Sequence, residues 1–141
     1  MVNFEFQCAT KMIFGKGTEE KVGEELKAYG ATRVLFVYGG SSIKRSGLYD
    51  RVVKSLKDAG LWFTELPGVV PNPRVSLVRK GIEICRKEKI DFLLAVGGGS
   101  VIDTCKSMGF GVYYDGDVWD LISCKVRPGT ERVPVATILT L

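Results

Sequence analysis

The residues best placed to do chemistry stand together: Gly97-Gly98-Gly99-Ser100, then Asp103 and Lys106 one helical turn apart. Consecutive glycines let a backbone approach a ligand with no Cβ in the way. The apolar run Phe92 to Val96 leads into them, and a helical pattern follows from Val101. A short apolar run bounded by glycine predicts a strand buried on both faces. Strand, glycine turn and helix together hold a phosphate, because the first helical N–H groups are unpaired and the helix end is partly positive. Ser100 is placed either to cap the helix or to offer its hydroxyl to an anion. A plain strand-to-helix turn needs one or two glycines, so three closed by serine favour a phosphate or dinucleotide site. Neither standard motif is present. Counting G-x-G from Gly97 puts Ile102 where the third glycine belongs, and no G-x-x-x-x-G-K-[ST] occurs.

A second glycine loop, Gly39-Gly40-Ser41-Ser42, follows the apolar run Arg33 to Tyr38. With a pyrophosphate on Gly97–Ser100, this loop is placed to meet an adenosine ribose. An NAD site places a carboxylate there for the ribose hydroxyls. None stands between Arg33 and Lys44, and Lys44 and Arg45 come next. Small donors and positive charge suit a 2′-phosphate, so NADP is the expected cofactor and NAD the alternative. Asp103 either hydrogen-bonds toward the nicotinamide end or is an early-turn acid favoured by the helix dipole. Asn72, held between Pro71 and Pro73, is a contact candidate or an exposed turn residue. Asp115, Asp117 and Asp120 lack calcium-loop spacing and are expected to be turn and cap residues.

These loops need a scaffold, and the hydrophobic periodicity supplies one. Phe4 to Cys8 alternates as a half-buried strand, and Lys11 to Phe14 is a second short run, together suggesting an N-terminal ribbon. Thr18 is expected to cap a helix with Val22, Leu26 and Tyr29 as its apolar stripe, stopped by Gly30. The strand Arg33–Tyr38 follows, then a helix over about Leu48 to Ala59 and a strand from Leu61 to Leu66. Pro67 to Pro73 is a rigid loop, since its prolines fix φ and remove donors. Val75 to Lys89 is helical on the stripe Val78, Ile82, Cys85. A short helix carries Trp119, and Val133 to Leu141 is the last strand. The alternation predicts a doubly wound parallel sheet with helices on both faces, ligands lying at the carboxyl ends of the strands. Gly39–Ser42, Pro71–Pro73, Gly97–Ser100 and Thr140 then share one rim.

Composition narrows the function classes. The 141 residues are 45% hydrophobic and 26% charged, as expected of one globular domain. No run reaches a membrane span, and no basic-then-apolar leader opens the chain, so a cytoplasmic protein is expected. The net charge of +4 is dispersed over helix faces and does not suggest nucleic acid. The four cysteines form no C-x-x-C and are expected to be reduced, mostly buried thiols. There is no histidine, hence no imidazole base and no His-ligated metal in this chain. A phosphorelay receiver would need acids after its first strand, where Tyr38-Gly39-Gly40 stands.

Several motifs resemble one family: T-K-x-x-F-G-K-G (Thr10 to Gly17), V-Y-G-G-x-S-I-K (Val37 to Lys44), G-L-Y-D (Gly47 to Asp50), G-V-x-P-N-P-R (Gly68 to Arg74), A-V-G-G-G-S-V-I-D-x-x-K (Ala95 to Lys106) and Y-D-G-D-V-W-D (Tyr114 to Asp120). Together they are similar to the group III, iron-dependent alcohol dehydrogenases, nearest to the NADPH- or NADH-dependent butanol dehydrogenase branch. The G-G-G-S-x-x-D core alone is shared with glycerol dehydrogenases and dehydroquinate synthases. The resemblance implies a Rossmann-like, dehydroquinate synthase-like nucleotide-binding half with an N-terminal β-ribbon that pairs subunits, hence a homodimer. It implies a helical second domain, absent from these residues, that binds iron or zinc through one aspartate and three histidines. It carries Gly97, Gly98, Gly99 and Ser100 to the pyrophosphate, and Gly39, Gly40 and Ser42 to the adenosine ribose. Asn72 and Asp103 go toward the nicotinamide, and Thr140 to the cofactor pocket. Ala9 replaces a usual proline and Ser41 a usual third glycine. The expected role is the NAD(P)-binding domain of an enzyme interconverting small alcohols and aldehydes, with no catalytic or metal residue of its own. The alternatives are a stand-alone nucleotide-binding or dimerising module, and a relative acting on glycerol-like polyols.

Overall fold

The structure is a computed structural model, and it describes residues 3, 5 and 8–140. Its order is α1 (Val22–Ala28), β1 (Arg33–Tyr38), α2 (Ser42–Arg45), α3 (Leu48–Asp58), β2 (Trp62–Leu66), α4 (Val75–Lys87), β3 (Phe92–Gly97), α5 (Gly99–Gly111), α6 (Val118–Ile122) and β4 (Val135–Leu139). The four strands form one parallel sheet in the order β2-β1-β3-β4.

The apolar runs went where continuous hydrophobicity demands. Every residue of β3 is buried, and all of β1 but Arg33. Side chains alternate across the sheet, so each strand feeds two cores. Val34, Phe36 and Tyr38 pack with Leu26, Ile43, Val52 and Leu56 from α1, α2 and α3. Leu35 and Val37 pack with Val78, Ile82, Cys105 and Met108 from α4 and α5. The expected α4 stripe is this inward face.

The chain leaves β1 toward β2 on one side and returns to β3 on the other. The crevice above β1 and β3 is therefore the topological switch point, where parallel α/β sheets bind ligands. The register aligns Tyr38 with Val96, so both glycine loops open onto this crevice.

Several expectations needed correction. The strand over Asn3 to Cys8 falls largely on residues outside those described. Lys11 to Phe14 is not a strand: no described strand lies beside it, and Met12 and Phe14 stand 86% and 96% exposed. Thr18 does not cap α1. It opens a 3₁₀ turn, Thr18–Lys21, and its hydroxyl donates to the Gly15 carbonyl at 3.0 Å. A helix over Ser42–Arg45 was not expected, its one turn being too short to show a periodicity. β4 begins at Val135 rather than Val133, because Val133 N–H is taken by the Gly109 carbonyl at 3.1 Å and Pro134 has no N–H. Two of the four cysteines, Cys85 and Cys105, are buried, whereas Cys8 and Cys124 are exposed.

Candidate functional site

Gly97 ends β3 with φ +156°, and a Cβ there would lie 2.5 Å from Val101 Cγ2. No side chain is tolerated at this corner without moving the first turn of α5. Gly98 is the helix N-cap in extended conformation, and its carbonyl accepts from the N–H groups of Val101 and Ile102 at 3.0 and 3.3 Å. Ser100 is therefore inside the helix rather than capping it. Among the described residues nothing accepts from the Gly99 and Ser100 N–H groups. A Cβ on Gly99 would meet nothing within 4 Å. The result is an open helix start with two N–H groups lacking an acceptor among the described residues, a nearby hydroxyl and the positive end of a 13-residue helix.

The other loops close around it. Thr140 N–H donates to the Gly97 carbonyl at 3.1 Å, which brings the end of β4 beside the turn. Gly39 continues β1, and the segment after β2 is strapped across it. Gly68 N–H donates to the Gly39 carbonyl at 3.0 Å and Val69 N–H to the Tyr38 carbonyl at 3.3 Å. A Cβ on Gly39 would sit 3.1 Å from the Val69 carbonyl oxygen, so this crossing is tight. Gly40 and Ser42 are exposed at the rim. Asn72 is on the strap's far end, exposed and left-handed at φ 60°. Asp103 is exposed on α5, one turn past the helix start, and its side chain makes no hydrogen bond among the described residues. The structure thus brings Gly39, Gly97–Ser100 and Thr140 to one rim, with Gly40 and Ser42 on it. Among the described residues, the side chains of Asn72 and Asp103 hydrogen-bond to none of the others.

One group on this rim escaped the sequence reading. Glu65 of β2 accepts from the Tyr38 hydroxyl at 2.6 Å and from the Tyr49 hydroxyl at 2.7 Å. Burial, then the Glu65 carboxylate, pushes the Tyr38 phenol up. For Tyr49 the Glu65 hydrogen bond leads in the same direction. Lys44 Nζ lies 4.9 Å from the Tyr49 ring centroid and 5.7 Å from that of Tyr38. Four elements, β1, α2, α3 and β2, meet here, and Glu65 comes from a separate strand, so no local spacing announces the cluster.

Of the three aspartates expected in turns and caps, Asp115 lies in a bend and Asp117 is a cap, whereas Asp120 lies within α6, its carboxylate 3.9 Å from Lys125 Nζ. Asp117 caps α6, accepting from Trp119 N–H at 2.7 Å, and holds Arg79 through two bonds of 2.9 and 3.1 Å. Among the described residues no cluster of histidine, cysteine, aspartate and glutamate could hold a metal. No described helix is long and apolar enough to cross a membrane.

A parallel sheet flanked by helices, with a glycine turn opening a helix at its switch point, defines a Rossmann-like α/β fold of the nucleotide-binding type. Residues 9–141 match the model of the iron-containing alcohol dehydrogenases, and the chain belongs to that family. It is 56% identical over 141 residues to the probable NADH-dependent butanol dehydrogenase 1 of Bacillus subtilis, covering 100% of this chain and 36% of that protein. It is 34% identical over 143 residues to the NADPH-dependent aldehyde reductase YqhD of Escherichia coli, again covering 100% of this chain and 36% of the relative. The crystal structure of NADH-dependent butanol dehydrogenase A from Thermotoga maritima superposes with a TM-score of 0.94 at 46% identity, over 99% of this chain and 35% of that one. The chain spans about a third of the length of these relatives.

Proposed function

We propose that this chain is the nicotinamide-dinucleotide-binding domain of an oxidoreductase that interconverts small primary alcohols and aldehydes. The observation that carries this is the open start of α5, where the Gly99 and Ser100 N–H groups have no acceptor among the described residues and a Cβ on Gly99 would meet nothing within 4 Å. Pyrophosphate oxygens accept from these N–H groups and from the Ser100 hydroxyl. Gly39, Gly40 and Ser42 meet the adenosine ribose, Thr140 flanks the pyrophosphate, and Asn72 and Asp103 lie toward the nicotinamide. The names of the relatives support the chemistry: each says that it uses a reduced nicotinamide dinucleotide on butanol or an aldehyde. The family's metal does not fit here, since the chain has no histidine and no described cluster of ligands. No step is assigned to a metal held by these residues. In the intact enzyme, iron or zinc and the alcohol belong to a helical domain outside these 141 residues.

At the 2′ position the loop itself supports NADP(H). It carries no carboxylate, and Arg45 is exposed with no ion pair among the described residues. A second reading, NADH, is favoured by two of the relatives named above and by the engagement of Lys44 with the tyrosines. Fluorescence titration with both reduced nucleotides tests the function and separates the readings. Binding of either is expected, and Gly99→Ala should fold normally yet lose about tenfold in affinity, since its methyl enters the phosphate site. Binding of neither nucleotide overturns the proposal.

A further inference from the structure

The rim loop after β1 lacks the acid that would discriminate between the two dinucleotides, yet the tertiary structure brings one to its edge. Glu65 pairs in register with Phe36, so its side chain shares the sheet face of Phe36 and Tyr38. Both Glu65 oxygens are taken up, Oε2 by the Tyr38 hydroxyl and Oε1 by the Tyr49 hydroxyl. Each carboxylate oxygen is thus anchored to a tyrosine hydroxyl. The two rings stand edge to face at 5.8 Å, and Phe36 stacks on Tyr49 at 5.8 Å, which fixes them. Lys44, two residues past Ser42, places its ammonium over both faces. A cation is held by such a face, more strongly when the ring's hydroxyl donates to a carboxylate and gains electron density.

We propose that Glu65 is a specificity-determining positioning residue. Through Tyr38 and Tyr49 it holds Lys44 at the rim and offsets its charge, so that a 2′-phosphate gains less from Lys44 than a free lysine would give. The acid that disfavours the 2′-phosphate then comes from β2 through a tyrosine pair rather than from the β1 loop. This rests on the dinucleotide reading above.

The test is the ratio of NADH to NADPH dissociation constants for the chain and its variants, with thermal melts to confirm folding. Glu65→Gln removes the offsetting charge, so it should favour NADPH about threefold, the worth of a partly exposed charge pair. Lys44→Met should disfavour NADPH about tenfold, the worth of a charged hydrogen bond. With Lys44→Met in place, Glu65→Gln should no longer move the ratio. Tyr49→Phe, which removes one hydroxyl only, should act as Glu65→Gln does but more weakly, and it serves if Glu65→Gln fails to fold. Proton NMR adds a readout independent of nucleotide: the Lys44 side-chain methylenes should be shifted upfield by the rings, and Tyr49→Leu should relieve that shift. An unchanged ratio in folded Glu65→Gln and Tyr49→Phe overturns the proposal while leaving dinucleotide binding intact. So does a Glu65→Gln effect that persists without Lys44. If the unsubstituted chain binds neither nucleotide, the dinucleotide reading fails, and this proposal with it.

Discussion

At the scale of single residues, environment separates groups of the same type. Burial pushes the Cys85 and Cys105 thiols up to about 12, with the neighbouring Cys85 adding to the effect on Cys105. A backbone hydrogen bond from Thr10 lowers the exposed Cys8 instead. Since the thiolate is the nucleophile, alkylation of the folded chain near pH ~8 should label Cys8 and Cys124 and spare the other two until denaturant is added; mass spectrometry of the peptides reads the result. Gly39 is the matching case for ligand contact. Its Cβ position lies 3.1 Å from a carbonyl of the strap, so Val69 must yield by a few tenths of an ångström to admit a side chain. Gly39→Asp should therefore fold with some loss of stability. Its carboxylate would repel a 2′-phosphate and accept from ribose hydroxyls, so the NADPH to NADH affinity ratio should fall about tenfold in parallel titrations.

At the scale of elements, helices are joined by a few close contacts. Gly23 lets α1 lie against α3: a Cβ there would reach within 2.1 Å of the Ser55 carbonyl oxygen. The Gly23 N–H donates to Ser55 Oγ at 2.9 Å, and that hydroxyl donates to the Glu20 carbonyl at 2.6 Å. Gly23→Ala should destabilise by about 2 kcal/mol in denaturant unfolding, as overpacking does, although alanine is the better helix former. On the other face, Asp117 ties α6 to α4. The hydrogen bond from Arg79, then that from Trp119 N–H, holds its carboxyl below the usual range. A carboxyl depressed in the folded state stabilises above its unfolded pKa, and that stability fades as pH falls through the folded value. Asp117→Asn should lower Tm at neutral pH, and the deficit should vanish in melts taken at progressively more acid pH. A deficit that survives full protonation would assign the effect to packing instead.

At the scale of the whole molecule, exposed apolar surface marks where more protein belongs. Met12, Phe14 and Leu139 are 86%, 96% and 66% exposed, and among the described residues β4 is an edge of the sheet. Apolar side chains so bare, beside an open edge, favour association. We expect a homodimer in sedimentation velocity, built on the N-terminal segment, and expect Met12→Lys with Phe14→Lys to yield monomers. A monomer at high concentration before substitution would refute this.

What the sequence determined by itself was everything that depends on local pattern. Strands β1 and β3 appear as buried apolar runs, α4 as a 3.6-residue stripe, and the Gly97–Ser100 turn as glycines between a strand and a helix. Each needs only neighbours along the chain, because burial on both faces and a helix N-terminus each leave a continuous trace. The order β2-β1-β3-β4 was not legible, and with it the crevice between β1 and β3, because pairing is decided by which faces bury one another. No carboxylate stands between Arg33 and Lys44 in sequence, whereas the fold brings Glu65 of β2 onto the hydroxyls of Tyr38 and Tyr49, whose rings Lys44 overlies. The Lys11 to Phe14 run showed the opposite failure: its composition suits a strand, but a strand exists only where a second one offers its hydrogen bonds.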